Sequence, residues 1–174
     1  MSTIETKIRR FVDPVTAWFT WKVYDRAFQK INLQSPCRQS FHRWDFLKVM
    51  FDRDFVKVFL YVDGKPVGFA VYTLSLEKLP WVSAEYYRQT AFPGLKVAYV
   101  PIIAVSPKYW GRQYSKPLME ALDGLYTRDG VDRLCFDYAD ENAFLPEAIA
   151  AALPGTIVKE TLGQQHYVSL HREG

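Results

Sequence analysis

Residues 97–122 read VAYVPIIAVSPKYWGRQYSKPLMEAL and predict a strand, a loop and a helix in that order. Residues 97–105 are almost continuously apolar, which is typical of a strand buried in the middle of a sheet. Pro101 interrupts this run, and proline supplies no N–H to a β-ladder, so it indicates a bulge or a split between strands. We therefore expect the sheet to open near Pro101.

The segment after this strand has the features of an anion-binding loop. Residues 106–115 lead into a helix over residues 116–126, where backbone N–H groups and the positive end of the helix dipole suit a pyrophosphate. Gly111 allows close approach of a ligand to the backbone. Lys108, Arg112 and Lys116 supply positive charge around the same loop.

A β-hairpin precedes the central strand. Residues 55–62 and 66–74 are apolar strands separated by Asp63-Gly64, a dipeptide typical of tight hairpin turns. Residues 4–12 indicate a further, first strand.

Two helices are predicted between the first strand and the hairpin. Asp13-Pro14 is an N-cap followed by proline at the first helical position. The apolar positions of the helix that follows recur at helical spacing: Ala17, Trp21, Tyr24, Phe28 and Ile31. A shorter helix is expected to start at Ser40, with Trp44, Leu47 and Phe51 on its apolar face.

The rest of the chain completes an α+β pattern. Residues 77–96 are expected to be irregular, and residues 81–92 to form a wall or lid on one side of a site or, as an equal alternative, an extra helix on the sheet edge. A strand over residues 133–138, a helix over 142–153 and strands at 156–158 and 166–170 follow. We expect one domain over residues 1–174, in α/β/α layers, around a mixed and mostly antiparallel sheet.

Composition excludes several classes of protein. Hydrophobic residues make up 49% of the 174 residues, which excludes a disordered chain. A net charge of +3 without long basic runs disfavours a protein that depends on phosphate neutralisation of nucleic acid. Cys37 and Cys135 cannot form a disulfide scaffold or a four-cysteine metal site. No stretch reaches about 18 apolar residues, so we expect no membrane span and a cytoplasmic protein.

The order of elements resembles that of the GCN5-related N-acetyltransferase (GNAT) superfamily over essentially the whole chain. Three stretches carry the resemblance: the hairpin sequence DGKPVGF at 63–69, VSP at 105–107, and KYWGRQYSKPLMEAL at 108–122, which is in register with the family's acyl-CoA loop and helix. In that register Gly111 is kept, whereas Gln113 and Ser115 replace glycines and Trp110 occupies the usual Arg or Gln position.

The resemblance implies a site for acetyl-CoA or another acyl-CoA. Backbone groups at the end of the central strand would pair with the pantetheine arm, and the loop would hold the pyrophosphate. The implied cofactor-binding residues are Ile103, Ala104, Val105, Trp110, Gly111, Arg112, Gln113, Tyr114, Ser115, Lys116 and Asn142.

The family's usual general acid, a tyrosine about seven residues after an Asn, has no counterpart here. Asn142 matches the Asn, but Ile149 falls where the tyrosine would be.

Tyr138 and Tyr114 are candidate substitutes for that acid, and Glu85 and Asp137 are candidate general bases for an acceptor amine. The alternative for each is an ordinary packing tyrosine or a solvated carboxylate.

These expectations lead to an acyl-CoA-dependent N-acyltransferase that transfers an acetyl group to a primary amine, on a small molecule or a peptide, by direct attack. An aromatic acceptor wall would suit a bulky or amphipathic amine. The alternative is a catalytically inactive GNAT-fold module that serves in binding or structure. A homodimer is left open.

Overall fold

The computed structural model describes residues 2–34, 40–109 and 114–138, together with Glu147, Ile149 and Leu162. Three predicted elements lie outside the described residues: the helix at 142–153, except for Glu147 and Ile149, and the strands at 156–158 and 166–170. The described elements, in chain order, are β1 (Ile4–Arg9), α1 (Pro14–Gln34), α2 (Arg43–Phe51), β2 (Phe55–Val62), β3 (Lys65–Thr73), α3 (Ala84–Tyr86), β4 (Val97–Val105), α4 (Ser115–Arg128) and β5 (Arg133–Cys135).

The sheet is mixed and mostly antiparallel, as predicted. Its strands lie in chain order, β1 to β5; the first four pair antiparallel, and β5 pairs parallel to β4. The predicted tight turn joins β2 to β3, with φ of 51° at Asp63 and 73° at Gly64. Positive φ at both central residues matches the right-handed twist of the hairpin strands.

The predicted irregularity at Pro101 is confirmed. Val71 pairs with Ile102 and Thr73 with Tyr99, so Val100 and Pro101 of β4 oppose a single residue of β3. This extra residue makes a bulge, which bends a strand and increases its local twist. β4 nevertheless continues through Pro101 to Val105.

The N-cap predicted for α1 is present, since Asp13 Oδ1 accepts a hydrogen bond from the Thr16 N–H at 2.9 Å. The face predicted for α2 was wrong at Trp44 and Phe51, whereas Leu47 packs against the core as expected. Trp44 is 72% exposed, and Phe46 and Met50 are fully buried instead. The Arg43 guanidinium lies 4.2 Å from the Trp18 ring centroid and 5.7 Å from that of Trp44, so Trp44 stacks at the surface with a cation.

Two further predictions need correction. The last described strand ends at Cys135, so residues 136–138 are not part of it as predicted. Residues 77–96 are more regular than predicted: Leu76–Lys78 is a 3₁₀ turn, and α3 continues into a π-helical turn over Tyr87–Ala91. None of the described helices is long and apolar enough to cross a membrane.

The sheet has a separate apolar cluster on each face. The α1/α2 face packs β-strand side chains such as Phe59, Phe69 and Tyr99 against α1 and α2. The α4 face packs Val58, Val100 and their neighbours against α4, whose buried side chains are Leu118, Met119, Leu122 and Leu125. These helices on opposite faces give the predicted α/β/α layers.

Candidate active site

β4 and β5 separate after a short paired stretch. Tyr99 and Cys135 are the last partners, and among the described residues nothing pairs with the β5 side of β4 beyond Tyr99. The Ser106 N–H donates to the Val67 carbonyl at 2.8 Å. The backbone N–H and C=O groups of successive residues point to opposite sides of a strand. Those of Ile102 and Ala104 therefore also point towards β3, whereas those of Ile103 point towards the opening.

Gly68 of β3 packs directly against the end of β4 that lies beyond the last pairing with β5. A Cβ at Gly68 would lie 2.9 Å from the Ala104 carbonyl oxygen and 3.1 Å from Val105 Cγ2. A side chain at this position would therefore displace the strand end that lines the opening.

A tyrosine and a carboxylate meet where the strands separate. The Tyr99 hydroxyl donates a hydrogen bond of 2.6 Å to Asp137 Oδ1. Tyr99 is only 3% exposed, whereas Asp137 is exposed. Burial, and then the charge of Asp137, raise the pKa of Tyr99 far above its usual value, so this phenol remains protonated.

Aromatic side chains from the segment before β4 surround this pair. The Tyr87 ring lies 6.2 Å from that of Tyr99, and burial raises the pKa of Tyr87 to about 12. The Trp81 ring lies 5.2 Å from Phe41. The Trp81 indole N–H lies close enough to Tyr99 to lower the pKa of Tyr99 slightly. The Trp81 Nε1 is buried and makes no hydrogen bond with the described residues.

The other predicted catalytic residues lie around this cluster without joining it. Glu85 is exposed on α3, two residues before Tyr87, and forms no hydrogen bond or ion pair with the described residues. Tyr138 is 38% exposed, with its ring 6.4 Å from Phe136. Ile149 is buried in the α4-face cluster, away from solvent.

The described part of the predicted phosphate loop ends in a helix N-terminus. Tyr114 is the N-cap residue of α4, its side chain makes no capping hydrogen bond, and Ser115 is the first residue of the helix. Lys116 is exposed in the first turn, and Lys108 is exposed in the turn before the loop. The remaining residues assigned to the cofactor, Trp110, Gly111, Arg112, Gln113 and Asn142, lie outside the described residues. In the described part of the chain no group of His, Cys, Asp or Glu could hold a metal ion.

Solved structures with the same fold include acetyltransferases of low sequence identity. An aminoglycoside acetyltransferase, meta-AAC0020, from an uncultured soil metagenomic sample is 13% identical with a TM-score of 0.63, and 95% of each chain is covered. The aminoglycoside N-acetyltransferase AAC(6')-Iy in complex with CoA is 14% identical, with a TM-score of 0.58 and coverage of 95% of this chain and 97% of that one.

A third such structure is the ribosomal-protein-alanine N-acetyltransferase from Brucella melitensis biovar Abortus. It is 13% identical, with a TM-score of 0.59, and covers 94% of this chain and 100% of that one. The sequence model of the acetyltransferase (GNAT) family matches residues 18–144, so the chain belongs to the GNAT family. Comparison with curated protein sequences gives no match.

Sequence reasoning missed Tyr99 as a residue of the site. It stands inside an apolar run, where a tyrosine is expected to fill the core. The available signal was its position two residues before Pro101, at the predicted opening. The sequence did name Asp137 as a candidate base, but its contact with Tyr99 follows only from the parallel register that sets Tyr99 beside Cys135.

Proposed function

We propose that this protein is an acyl-CoA-dependent N-acyltransferase that transfers an acetyl group from acetyl-CoA to a primary amine by direct attack. The observation that carries the proposal is the separation of β4 from β5 at Tyr99, directly beside the hydrogen-bonded Asp137 carboxylate. Membership of the GNAT family supports the reaction class. When bound, acetyl-CoA supplies an acetyl group activated as a thioester.

The residues of the opening fit such a cofactor. The backbone N–H and C=O of Ile103, which face away from β3, match the amide groups of a pantetheine arm. The N-terminus of α4, with Lys108 and Lys116 nearby, matches a pyrophosphate. Backbone N–H groups at the opening would also polarise the thioester carbonyl.

Asp137 is our candidate for the general base. As the amine nitrogen bonds to the acyl carbon, the carbon–sulfur bond breaks and its electron pair leaves with the sulfur. Asp137 takes the proton that the nitrogen loses, and water protonates the thiolate, since a thiol has a pKa of about 8.5. Glu85 remains the second candidate, and Tyr138 an alternative proton donor.

The acceptor would approach from the α1/α2 face. Tyr99 lies on that face, and Trp81 and Tyr87 pack against the same cluster. These rings favour a bulky or amphipathic primary amine, presented by a small molecule or a peptide. Related folds in an aminoglycoside acetyltransferase bound to sisomicin and in a ribosomal-protein-alanine N-acetyltransferase suggest two acceptors to try.

The first experiment is calorimetric titration of the protein with acetyl-CoA. We expect micromolar binding that disappears in Gly111→Trp, because the larger residue would block the pyrophosphate. Gly124→Trp is the matched control, since a Cβ at Gly124 on α4 meets no atom within 4 Å. Equal affinity in both variants would contradict the assigned loop.

Thiol release on adding sisomicin or a peptide with N-terminal alanine then tests transfer. Release that depends on the amine supports the acyltransferase. Binding of acetyl-CoA without any amine-dependent release would instead indicate the non-catalytic module.

A further inference from the structure

Within the part of the chain that the structure describes, one side-chain hydrogen bond connects β4 to the segment after β5 at the point where they separate. Tyr99 is the last residue of β4 that pairs with β5, and Asp137 lies two residues beyond its partner Cys135. The 2.6 Å bond from the Tyr99 hydroxyl to Asp137 Oδ1 therefore spans the mouth of the opening. It holds the carboxylate at the edge of the site, beyond the last paired residues of β4 and β5.

The direction of this hydrogen bond is fixed. Tyr99 is 3% exposed, and its raised pKa keeps the phenol protonated, so the hydroxyl donates and the carboxylate accepts. The Tyr87 ring packs edge-on against the Tyr99 ring, with an interplanar angle of 81°. The donor is thus both buried and oriented.

The acceptor end is different, because Asp137 is exposed. Its Oδ1 accepts the hydrogen bond from Tyr99, and among the described residues no group donates to Oδ2. One oxygen is therefore anchored to the sheet, while the other is exposed and is not bound by any residue that the structure describes. A carboxylate that takes a proton from an amine needs this combination, because a free side chain would spend most of its time in other rotamers.

We propose that Tyr99 is a positioning residue that orients the Asp137 carboxylate towards the acceptor amine. This inference rests on the proposed function and adds to it a residue that does not itself touch the reacting atoms. Tyr99 is a poor candidate for the proton donor to the leaving thiolate, since its raised pKa disfavours loss of its proton.

A double-mutant cycle tests the proposal, with Tyr99→Phe, Asp137→Asn and the double variant. The assay measures kcat and KM with acetyl-CoA and whichever of sisomicin and the N-terminal alanine peptide is acetylated. Loss of a hydrogen bond to a charged group corresponds to about a 10-fold decrease in kcat for Tyr99→Phe. We expect unchanged KM for the amine and unchanged acetyl-CoA affinity by calorimetry, and no further decrease when Tyr99→Phe is added to Asp137→Asn.

Tyr72→Phe is the matched control. Tyr72 is fully buried on the other face of the same sheet, and its hydroxyl has no hydrogen-bond partner among the described residues. This variant should retain the wild-type kcat. Circular dichroism and melting temperature establish that each variant is folded.

Three outcomes would overturn the proposal. A wild-type kcat in folded Tyr99→Phe would show that the hydrogen bond does not matter for turnover. An equal decrease in the wild-type and Asp137→Asn backgrounds would show that Tyr99 does not act through Asp137. If the wild type binds acetyl-CoA but acetylates neither amine, the proposed function fails and this inference with it.

Discussion

The two faces of the sheet differ in the hydrogen bonding of their buried polar side chains. On the α1/α2 face, Lys57 donates to the backbone carbonyls of Arg10 and Asp52, Thr73 donates to that of Asp54, and Tyr99 donates to Asp137. The α4 face is an apolar core with one buried hydroxyl, that of Tyr72, which has no partner among the described residues. The α4 face therefore mainly stabilises the sheet, whereas the α1/α2 face also holds polar side chains in fixed positions.

The largest expected effect is on the α4 face. Leu122→Ala removes a side chain that is 2% exposed between α4 and the sheet, and should lower the free energy of unfolding by about 2–5 kcal/mol. Leu33→Ala on α1 is the control, because Leu33 is 85% exposed and its loss should change little. Urea denaturation of both variants measures the difference. A small loss for Leu122→Ala would show that the α4 face is not a packed core.

The next effect concerns Lys57, which is fully buried on the α1/α2 face. Burial lowers its pKa to about 8 from an ordinary value of 10.5. Between these values the unfolded chain binds more protons than the folded protein, so stability should increase with pH. The expected gain between pH 7 and 10 is about 2 kcal/mol.

Urea denaturation across this range, compared with Lys57→Met, isolates the contribution. The variant should lack the gain, whereas Lys65→Met, at an exposed position in β3, should keep it. Measurements stay below pH 10 because the buried tyrosines, whose pKa values are raised, destabilise the folded state at higher pH. Equal slopes in all three proteins would mean that Lys57 is not desolvated.

The smallest effect is a gain in stability on the α4 face. Tyr72→Phe removes a buried hydroxyl that has no partner among the described side chains and backbone groups, and should raise the free energy of unfolding by about 1 kcal/mol. Tyr24→Phe is the opposite case, because the Tyr24 hydroxyl accepts a hydrogen bond from the Phe41 N–H at 2.9 Å, and its loss should destabilise. Melting temperatures of the two variants should move in opposite directions. A decrease for Tyr72→Phe would remove the contrast between the faces.

Local patterns predicted most of the described fold. Asp13-Pro14 identified the start of α1, Asp63-Gly64 identified the hairpin, and Pro101 identified the bulge. Each of these depends on backbone geometry that one or two residues impose by themselves. Part of the apolar face of α2 was predicted wrongly because Trp44 and Phe46 are both large and apolar, and periodicity cannot tell which of them packs against the sheet and which lies at the surface beside Arg43.

For the candidate site, too, some features were predictable from the sequence and others required the tertiary structure. The sequence by itself determined the family resemblance, the order of strand, loop and helix, and the opening beside Pro101, because these follow from residue types at neighbouring positions. Only the tertiary structure decided that Tyr99 meets Asp137, 38 positions along the chain. That contact depends on the parallel register of β4 and β5 and on how far the two strands remain paired, and both result from packing across the whole sheet.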